Sequence, residues 1–546
     1  MGKRNASEIG PLVLLFLILE GIATLLDVLM GVGGVMSTEE SYNAATAALL
    51  ACGHDDSLWA LQYKWFCGGC SAEAMLAAPL FSWFAPSILA WKWFLGWMHI
   101  LMVCAGAAIA GRAAGARPAF VFVGLMIAAP GFYRTLALTG FGNHAESTVF
   151  PFVSAALILF VHKRALPTQI VGNLAAGVWM GLGIWFTPTA LHGFVAVTAV
   201  AVWSGRKPVV SYLVGLPLGM SPIVAYFNAM PHARVEAASW WATIDVAPFG
   251  EMVRWLVSDF VTGQLWAGVP AGVSATWWFM LTVISIIGMG AVFVRKERPW
   301  GVRWFLPLLY IGLVAAYWLR FDLWDDNPIV HGFDPFNLRY RAPLFPIMAL
   351  AAAMTSGALD DRSIFRRLAA AIVVVLIAVG FVLRAGSWRA GGVAVHKAPA
   401  VSVDGRVDWT VPEGDPPQRL DRAMGRLEDV AAARDFLYDH GDSLPVCRDL
   451  HQAELGRRVG LALLQEHPIE ALGPTLAEAA ALPGEDRAAF VRGIVATMEL
   501  QSEPLQAWGG VEPNVVRASS KIAAEVAERL HRRSGTMGSS NPAGKH

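Results

Sequence analysis

The sequence predicts an all-α, polytopic transmembrane protein of about eleven spans with a C-terminal soluble α-helical domain. Hydrophobic residues make up 55% of its 546 residues and charged residues only 15%, whereas soluble proteins average about a quarter charged residues. The apolar residues form blocks of about 20, the length of helix that crosses a bilayer. The formal net charge is +0, and no lysine- and arginine-rich run indicates a nucleic-acid partner.

The apolar blocks define the predicted spans and their orientation. We predict spans at residues 11–32, 92–111, 118–134, 147–161, 167–186, 190–204, 208–228, 274–294, 304–319, 341–357 and 368–384. Basic residues precede the first span and follow every second one, so the positive-inside rule places the amino terminus in the cytoplasm. The connections 33–91 and 229–273 then face outward. The first span has too long an apolar stretch for a cleaved signal peptide, so we expect a retained anchor.

The composition also predicts the domain boundaries. Residues 1–384 form the predicted transmembrane domain. A Gly/Pro/Asp-rich linker and helical spacing of Leu, Val and Ala predict an extracytoplasmic α-helical domain over 385–533. Residues 534–546 are rich in Gly, Ser and Asn, which predicts a disordered tail. Cys52, Cys67 and Cys70 all lie in the first outer connection, where a disulfide among them is expected.

An acidic pair follows the first span. Glu39 and Glu40, with Tyr42 close behind, stand where the chain is predicted to leave the outer membrane surface. A carboxylate held there can act as a general base toward a hydroxyl group. A solvated acidic loop is the alternative interpretation.

Two further polar groups are predicted on the same face. His144 and Glu146 directly precede the fourth span and could bind a metal or a phosphate-bearing group, or cap the helix start. His192 follows the break at Thr187-Pro188-Thr189, and helices broken at membrane depth usually line a polar cavity. A histidine at the membrane interface is the alternative for His192.

A basic pair opens a late span. Arg339 and Arg341, which flank Tyr340 and follow His331, lie at a predicted outer mouth and so oppose the positive-inside trend. Arginine holds phosphate through two parallel hydrogen bonds, which favours an anion site. The alternative is pairing with the acidic run at 322–326.

The order and sidedness of these features resemble the GT-C glycosyltransferases, in particular the bacterial relatives of protein mannosyltransferases and aminoarabinose transferases. The resemblance covers roughly residues 1–384. It is carried by an inside amino terminus with a long first outer loop, an acidic pair followed by Tyr42, a glycine-rich broken helix pair, and Arg339-Tyr340 before a late span. The chain has Glu39 where the family has aspartate, and it lacks the lysine often found after the broken helices.

The resemblance implies transfer of a sugar from a polyprenyl-phosphate donor to an acceptor hydroxyl, with inversion, at the outer face of a bacterial inner membrane. The acceptor would be a lipid, a polysaccharide or a protein. Glu39 or Glu40 would be the base. The predicted substrate-binding residues are Tyr42, His144, Glu146, His192, His331, Arg339, Tyr340 and Arg341. No cofactor is required, because the lipid phosphate leaves as an anion, while His144 and Glu146 leave assistance by a divalent metal open.

Two rival functions remain. A transporter or flippase of lipid-linked glycans predicts charges deep inside the spans and an internal repeat. The sequence shows mainly Glu20 and Asp27 inside a span, and no inverted repeat. A non-catalytic envelope scaffold predicts that Glu39 and Arg339 tolerate substitution.

Overall fold

The computed structural model describes residues 4–29, 43–44, 46–47, 50–51, 68–84, 88–140, 145–229, 271–294, 300–318, 342–358 and 364–389. In this part of the chain thirteen α-helices have defined bounds, two short 3-10 helices accompany them, and no strand occurs. The α-helices are α1 Arg4–Leu29, α2 Gly68–Phe84, α3 Ile88–Ala114, α4 Ala116–Ile127, α5 Gly131–Ala137, α6 Val149–Val161, α7 Leu166–Phe186, α8 Leu191–Ser204, α9 Arg206–Ala229, α10 Ala271–Val294, α11 Trp300–Trp318, α12 Leu344–Ala358 and α13 Ile364–Arg389. The 3-10 helices are Ala145–Thr148 and Pro188–Ala190.

The prediction of an all-α, multi-pass membrane protein is confirmed. Within the described residues, five helices are long and apolar enough to cross a bilayer, and they lie in α3, α7, α9, α10 and α13. Each of the predicted spans overlaps at least one observed helix. The predicted break between α7 and α8 is also present, because α7 ends at Phe186 and α8 begins at Leu191.

Two elements differ from the prediction. The span expected over 118–134 is divided into α4 and α5 by the segment Ala128–Pro130, because proline disfavours helical backbone in the residue before it. Helix α2 lies in a stretch predicted to be an outer loop. It has 17 residues with Pro79 inside, so it is too short to be recognised as a span of about 20 residues.

Small residues allow close packing of α7 against α9. Gly177 and Gly181 lie four residues apart on α7, and Gly215 and Gly219 have the same spacing on α9. A Cβ at any of these four positions would collide with a backbone carbonyl oxygen of the other helix. This spacing is the small-residue pattern by which membrane helices bring their backbones together. Van der Waals contact between the two backbones therefore replaces side-chain packing here.

The chain divides into two compact units. The first comprises Met1–Met36, Asp56–Glu73 and Trp91–Ala398, and the second comprises Ser37–Asp55, Ala74–Ala90 and Pro399–His546. All side chains of the site described below belong to the first unit. In the described residues of the second unit, the final turns of α2 expose the apolar side chains Met75, Leu76 and Trp83.

Candidate functional site

A cluster of charged side chains is buried in the transmembrane domain. Glu20 and Asp27 lie seven residues apart on α1 and therefore on the same helix face. Arg134 of α5 and Arg384 of α13 face them, and all four residues have at most 1% of their surface exposed. Two carboxylates and two guanidinium groups balance each other in formal charge. The cluster thus joins the first, fifth and last described helices.

Asp27 is the shared acceptor of the cluster. Its Oδ2 atom accepts hydrogen bonds from Arg134 Nε at 2.6 Å and from Arg384 Nη2 at 2.7 Å. Glu20 pairs with the same guanidinium groups, at 2.5 Å from Arg134 Nη1 and 3.6 Å from Arg384 Nη1. Arg134 also donates to Thr24 Oγ1 at 2.9 Å. The two arginines are therefore held in place by several acceptors each, as buried charges require.

His99 of α3 connects this cluster to a tyrosine. Its Nε2 atom lies 2.8 Å from Glu20 Oε1 and 2.6 Å from Arg134 Nη1. Its Nδ1 atom lies 3.5 Å from the hydroxyl of Tyr133, which follows α4 on the short helix α5. Tyr133 is 1% exposed, and its ring packs on Phe345 with 4.7 Å between centroids. The polar chain thus continues from the buried charges to the Tyr133 hydroxyl.

A small cavity begins at this tyrosine. It lies between α3, α5 and the 3-10 helix that precedes α6. The lining residues are Met98, His99, Met102, Tyr133, Ala137, Ala145, Glu146, Thr148 and Val149. The cavity has room for about one water molecule. Its walls combine a carboxylate, two hydroxyl groups and an imidazole with apolar side chains, so it can receive one small polar group.

Glu146 is the predicted site residue that the structure brings to this cavity. It lies in the 3-10 helix Ala145–Thr148, is 4% exposed and interacts electrostatically with Tyr133. The carboxyl-terminal end of α5 is held by Lys92 of α3, whose Nζ donates to the carbonyl of Leu138 at 2.8 Å. Glu146 and Tyr133 therefore line the same cavity.

His192 lies elsewhere in the transmembrane domain. It occupies the first turn of α8 and is 1% exposed. Its Nδ1 atom hydrogen-bonds to the carbonyl of Thr189, and its Nε2 atom has no hydrogen-bond partner among the described residues. It does not line the cavity of Glu146. The structure therefore places two predicted site residues, Glu146 and His192, in separate surroundings.

The other predicted site residues lie outside the described residues. They are Glu39, Glu40, Tyr42, His144, His331, Arg339, Tyr340 and Arg341.

Of the three cysteines expected to form a disulfide, Cys70 is disulfide-bonded and the other two lie outside the described residues. Cys104 is a free thiol. Within the described part of the chain, no three His, Cys, Asp or Glu side chains group as metal ligands.

Sequence reasoning identified some residues of the buried charged cluster and missed others. Glu20 and Asp27 were recognisable as acids within a span, and Arg134 stood near a predicted outer segment. His99 and Arg384 were not identified. Arg384 did carry a signal, because an arginine at the predicted outer end of the last span opposes the positive-inside trend. His99 had none, since a single histidine inside an apolar span does not reveal its partners.

Comparison with known proteins gives a distant structural likeness. No family model and no curated protein sequence matches the chain. An Archaeoglobus fulgidus oligosaccharyltransferase, solved with Zn and sulfate, aligns at 12% identity and a TM-score of 0.44, covering 77% of this chain and 57% of that one. The archaeal oligosaccharyltransferase AglB from the same organism, in complex with an inhibitory peptide and a dolichol-phosphate, aligns at 12% identity and a TM-score of 0.42, covering 79% and 60%.

The chain thus spans less than two thirds of the length of these structures. With TM-scores below 0.5, this likeness carries no conclusion about activity, and the function is argued below from the residues of this chain.

Proposed function

We propose that this protein is a membrane glycosyltransferase that moves a sugar from a polyprenyl-phosphate donor to an acceptor hydroxyl, with inversion, at the outer face of a bacterial inner membrane. The observation that carries the proposal is the position of Glu146. The sequence singles it out as a site residue on the predicted outer face, and the structure places it at a polar cavity beside Tyr133.

The buried charged cluster also supports a reaction at the outer face of the membrane. Asp27 lies two residues before the end of α1, and Glu20 lies about 10 Å deeper at a helical rise of 1.5 Å per residue. The acidic pair Glu39 and Glu40 follows the same helix by about ten residues. The charged side chains therefore occupy the end of α1 from which the proposed catalytic loop departs.

The proposed mechanism uses two groups of residues. Glu39 or Glu40 removes the proton from the acceptor hydroxyl, whose oxygen then attacks the anomeric carbon from the face opposite the phosphate. The carbon–oxygen bond to the phosphate breaks, and the lipid phosphate leaves as an anion. In this proposal Arg339 and Arg341 stabilise that charge as it develops, which lowers the barrier.

Donor, acceptor and metal use are parts of this proposal. The donor is a polyprenyl-phosphate sugar, and the acceptor is a lipid, polysaccharide or protein hydroxyl. A divalent metal is not needed to neutralise the leaving group if the two arginines do so. His144 and Glu146 are the residues that would hold one if transfer depends on it, and a chelator added to the assay decides this point.

The test is sugar transfer in membranes supplied with labelled polyprenyl-phosphate sugars. Wild type is compared with Glu39→Gln and Glu40→Gln at matched expression. Removing a positioned general base should lower the rate by about a hundredfold or more, so we expect one of the two variants to lose activity. Asp56→Asn makes the same carboxylate-to-amide change elsewhere in the first predicted outer connection and should keep wild-type activity.

The outcomes separate the rival functions. Loss in one glutamine variant alone supports the enzyme and identifies the base. Equal activity in all variants removes the acidic pair from the mechanism. If a broad donor panel gives no transfer by wild type, the proposal is wrong, and assays of lipid-linked glycan movement would then test the transporter alternative.

A further inference from the structure

Two arginines meet one exposed aromatic ring at the predicted cytoplasmic end of the transmembrane domain. The Cζ atom of Arg112, in the last turn of α3, lies 5.2 Å from the centroid of the Phe160 ring, near the end of α6. The Cζ atom of Arg164, which follows the end of α6, lies 5.5 Å from the same centroid. Both distances are within the range of cation–π attraction. One ring thus gathers two positive charges.

The described part of the chain supplies no negative charge to balance these two arginines. A guanidinium group keeps its charge at any physiological pH, and neither Arg112 nor Arg164 forms an ion pair with a described residue. The sequence explains why. Glu146 is the only acidic residue between positions 74 and 235, and it lies at the other end of α6, in the 3-10 helix that precedes that helix. The two arginines can therefore attract an anion from outside the protein.

An exposed strip of α3 leads to Arg112. Leu101, Cys104, Ala108 and Arg112 follow one another at intervals of three or four residues and so share one helix face. Leu101, Ala108 and Arg112 are exposed, and Cys104 is half-buried. At 1.5 Å per residue the strip is about 16 Å long, close to half of the hydrocarbon thickness of a bilayer, which is about 30 Å. Its length therefore fits the acyl chain of one leaflet.

The Phe160 ring marks the boundary between the apolar and the charged parts of this surface. Phe160 is 53% exposed. Val153 and Leu157 lie on the same face of α6 and are half-buried. A ligand at this place thus meets apolar side chains toward the membrane centre and two cations at the membrane surface, which is the pattern of a lipid with a charged headgroup.

We propose that Arg112, Arg164 and Phe160 form a binding site for an anionic phospholipid of the cytoplasmic leaflet. The lipid phosphate accepts hydrogen bonds from both guanidinium groups, and it offsets the repulsion between them. One acyl chain lies along the α3 strip between Leu101 and Arg112. Because Arg112 is on α3 and Arg164 follows α6, the lipid connects the ends of these two helices. The site depends on the fold and not on the proposed reaction.

The test measures lipid binding to the purified full chain by native mass spectrometry. Wild type should bind dioleoyl phosphatidylglycerol at least about tenfold more tightly than dioleoyl phosphatidylcholine, because the choline group brings a third cation to the site. Arg112→Gln and Arg164→Gln each remove a hydrogen bond between charged groups. Each should weaken phosphatidylglycerol binding about tenfold and leave phosphatidylcholine binding unchanged. Equal affinities of wild type for the two lipids would overturn the site.

Arg206→Gln is the matched control. Arg206 begins α9, is exposed on the same predicted side of the membrane, and does not belong to the group around Phe160. The control loses the same charge and should weaken phosphatidylglycerol binding by less than about twofold, because salt screens distant exposed charges. All three substituted arginines are exposed, so the variants should keep the fold. An equal loss in Arg206→Gln would show a response to total charge only and would overturn the site.

Two further measurements separate the lipid from a free anion. Phe160→Ala should weaken phosphatidylglycerol binding, because the ring that holds both arginines and contacts the lipid is removed. Inorganic phosphate at the concentration of the lipid should not displace phosphatidylglycerol, since it has no acyl chain to lie along α3. Displacement by phosphate, or unchanged lipid binding in Phe160→Ala, would contradict a phospholipid as the ligand.

Discussion

Asp27→Asn should destabilise the protein strongly, because it removes a negative charge from a buried and balanced cluster. Asp27 Oδ2 accepts from Arg134 Nε at 2.6 Å and from Arg384 Nη2 at 2.7 Å. With asparagine, two guanidinium groups would share one remaining carboxylate, that of Glu20. Removing one partner of a buried ion pair costs about 3–5 kcal/mol, and two cations depend on this residue. We expect a loss in the upper part of that range.

The measurement is reversible unfolding of the full chain in mixed detergent micelles with increasing SDS, followed by tryptophan fluorescence. Asp56→Asn makes the same chemical change in the first predicted outer connection and should alter the free energy of unfolding by less than about 0.5 kcal/mol. The double variant Asp27→Asn/Arg384→Met removes one charge of each sign. Its loss in free energy of unfolding should be smaller, by at least about 1 kcal/mol, than the sum of the losses of the two single variants. If Asp27→Asn unfolds like Asp56→Asn, the cluster does not hold the helices together.

Two further predictions concern helix packing and use the same unfolding measurement. Gly219→Ala should destabilise the protein, because a Cβ there meets the backbone carbonyl of Val178 on α7. Gly290→Ala is the control and should stabilise α10 by about 0.5–1 kcal/mol, because no atom lies within 4 Å of the added Cβ. Equal effects of the two substitutions would contradict the close approach of α7 and α9. Trp277→Phe should lower the free energy of unfolding by about 1 kcal/mol or more. The Trp277 Nε1–H donates to the carbonyl of Leu376 at 3.0 Å, and phenylalanine removes this donor. An unchanged unfolding midpoint would count against that hydrogen bond between α10 and α13.

The fold was largely predictable because its main signal is local. A run of about 20 apolar residues specifies a membrane helix from its own composition, as in α10 and α13. The break at Pro130 was missed for a related reason. Hydropathy continues through Ala128 and Ala129, and only the backbone restriction imposed by proline ends the helix there. Helix α2 was missed because its length falls below that of a span.

The candidate site was less predictable because its contacts are distant in sequence. Arg384 and Asp27 are 357 residues apart, and nothing in either local sequence names the other. Glu146 was recognised because it stands at the predicted start of a span, where a polar residue is noticeable. Its partner Tyr133 became meaningful only when α5 placed it against His99. Single-sequence reasoning found polar residues in unusual positions but not the pairs they form.

The buried charges also bear on the choice between an enzyme and a transporter. The sequence suggested few charges within the spans, yet the structure buries four of them, a feature that transport proteins use for coupling ions. Coupling requires a carboxylate that can gain a proton without leaving a charge unpaired. Asp27 and Glu20 share Arg134 and Arg384, so a proton on either acid would leave a buried cation undercompensated.

Such a cluster is suited to fixing helices rather than to changing charge. It extends towards the cavity through His99, whose Nδ1 atom lies 3.5 Å from the hydroxyl of Tyr133, and both residues line the cavity. The charges are therefore best understood as the support of the helices that surround this cavity. The proposed glycosyltransferase needs that rigidity to hold its catalytic groups in place, and a protein that carries a proton across the membrane would lose by it.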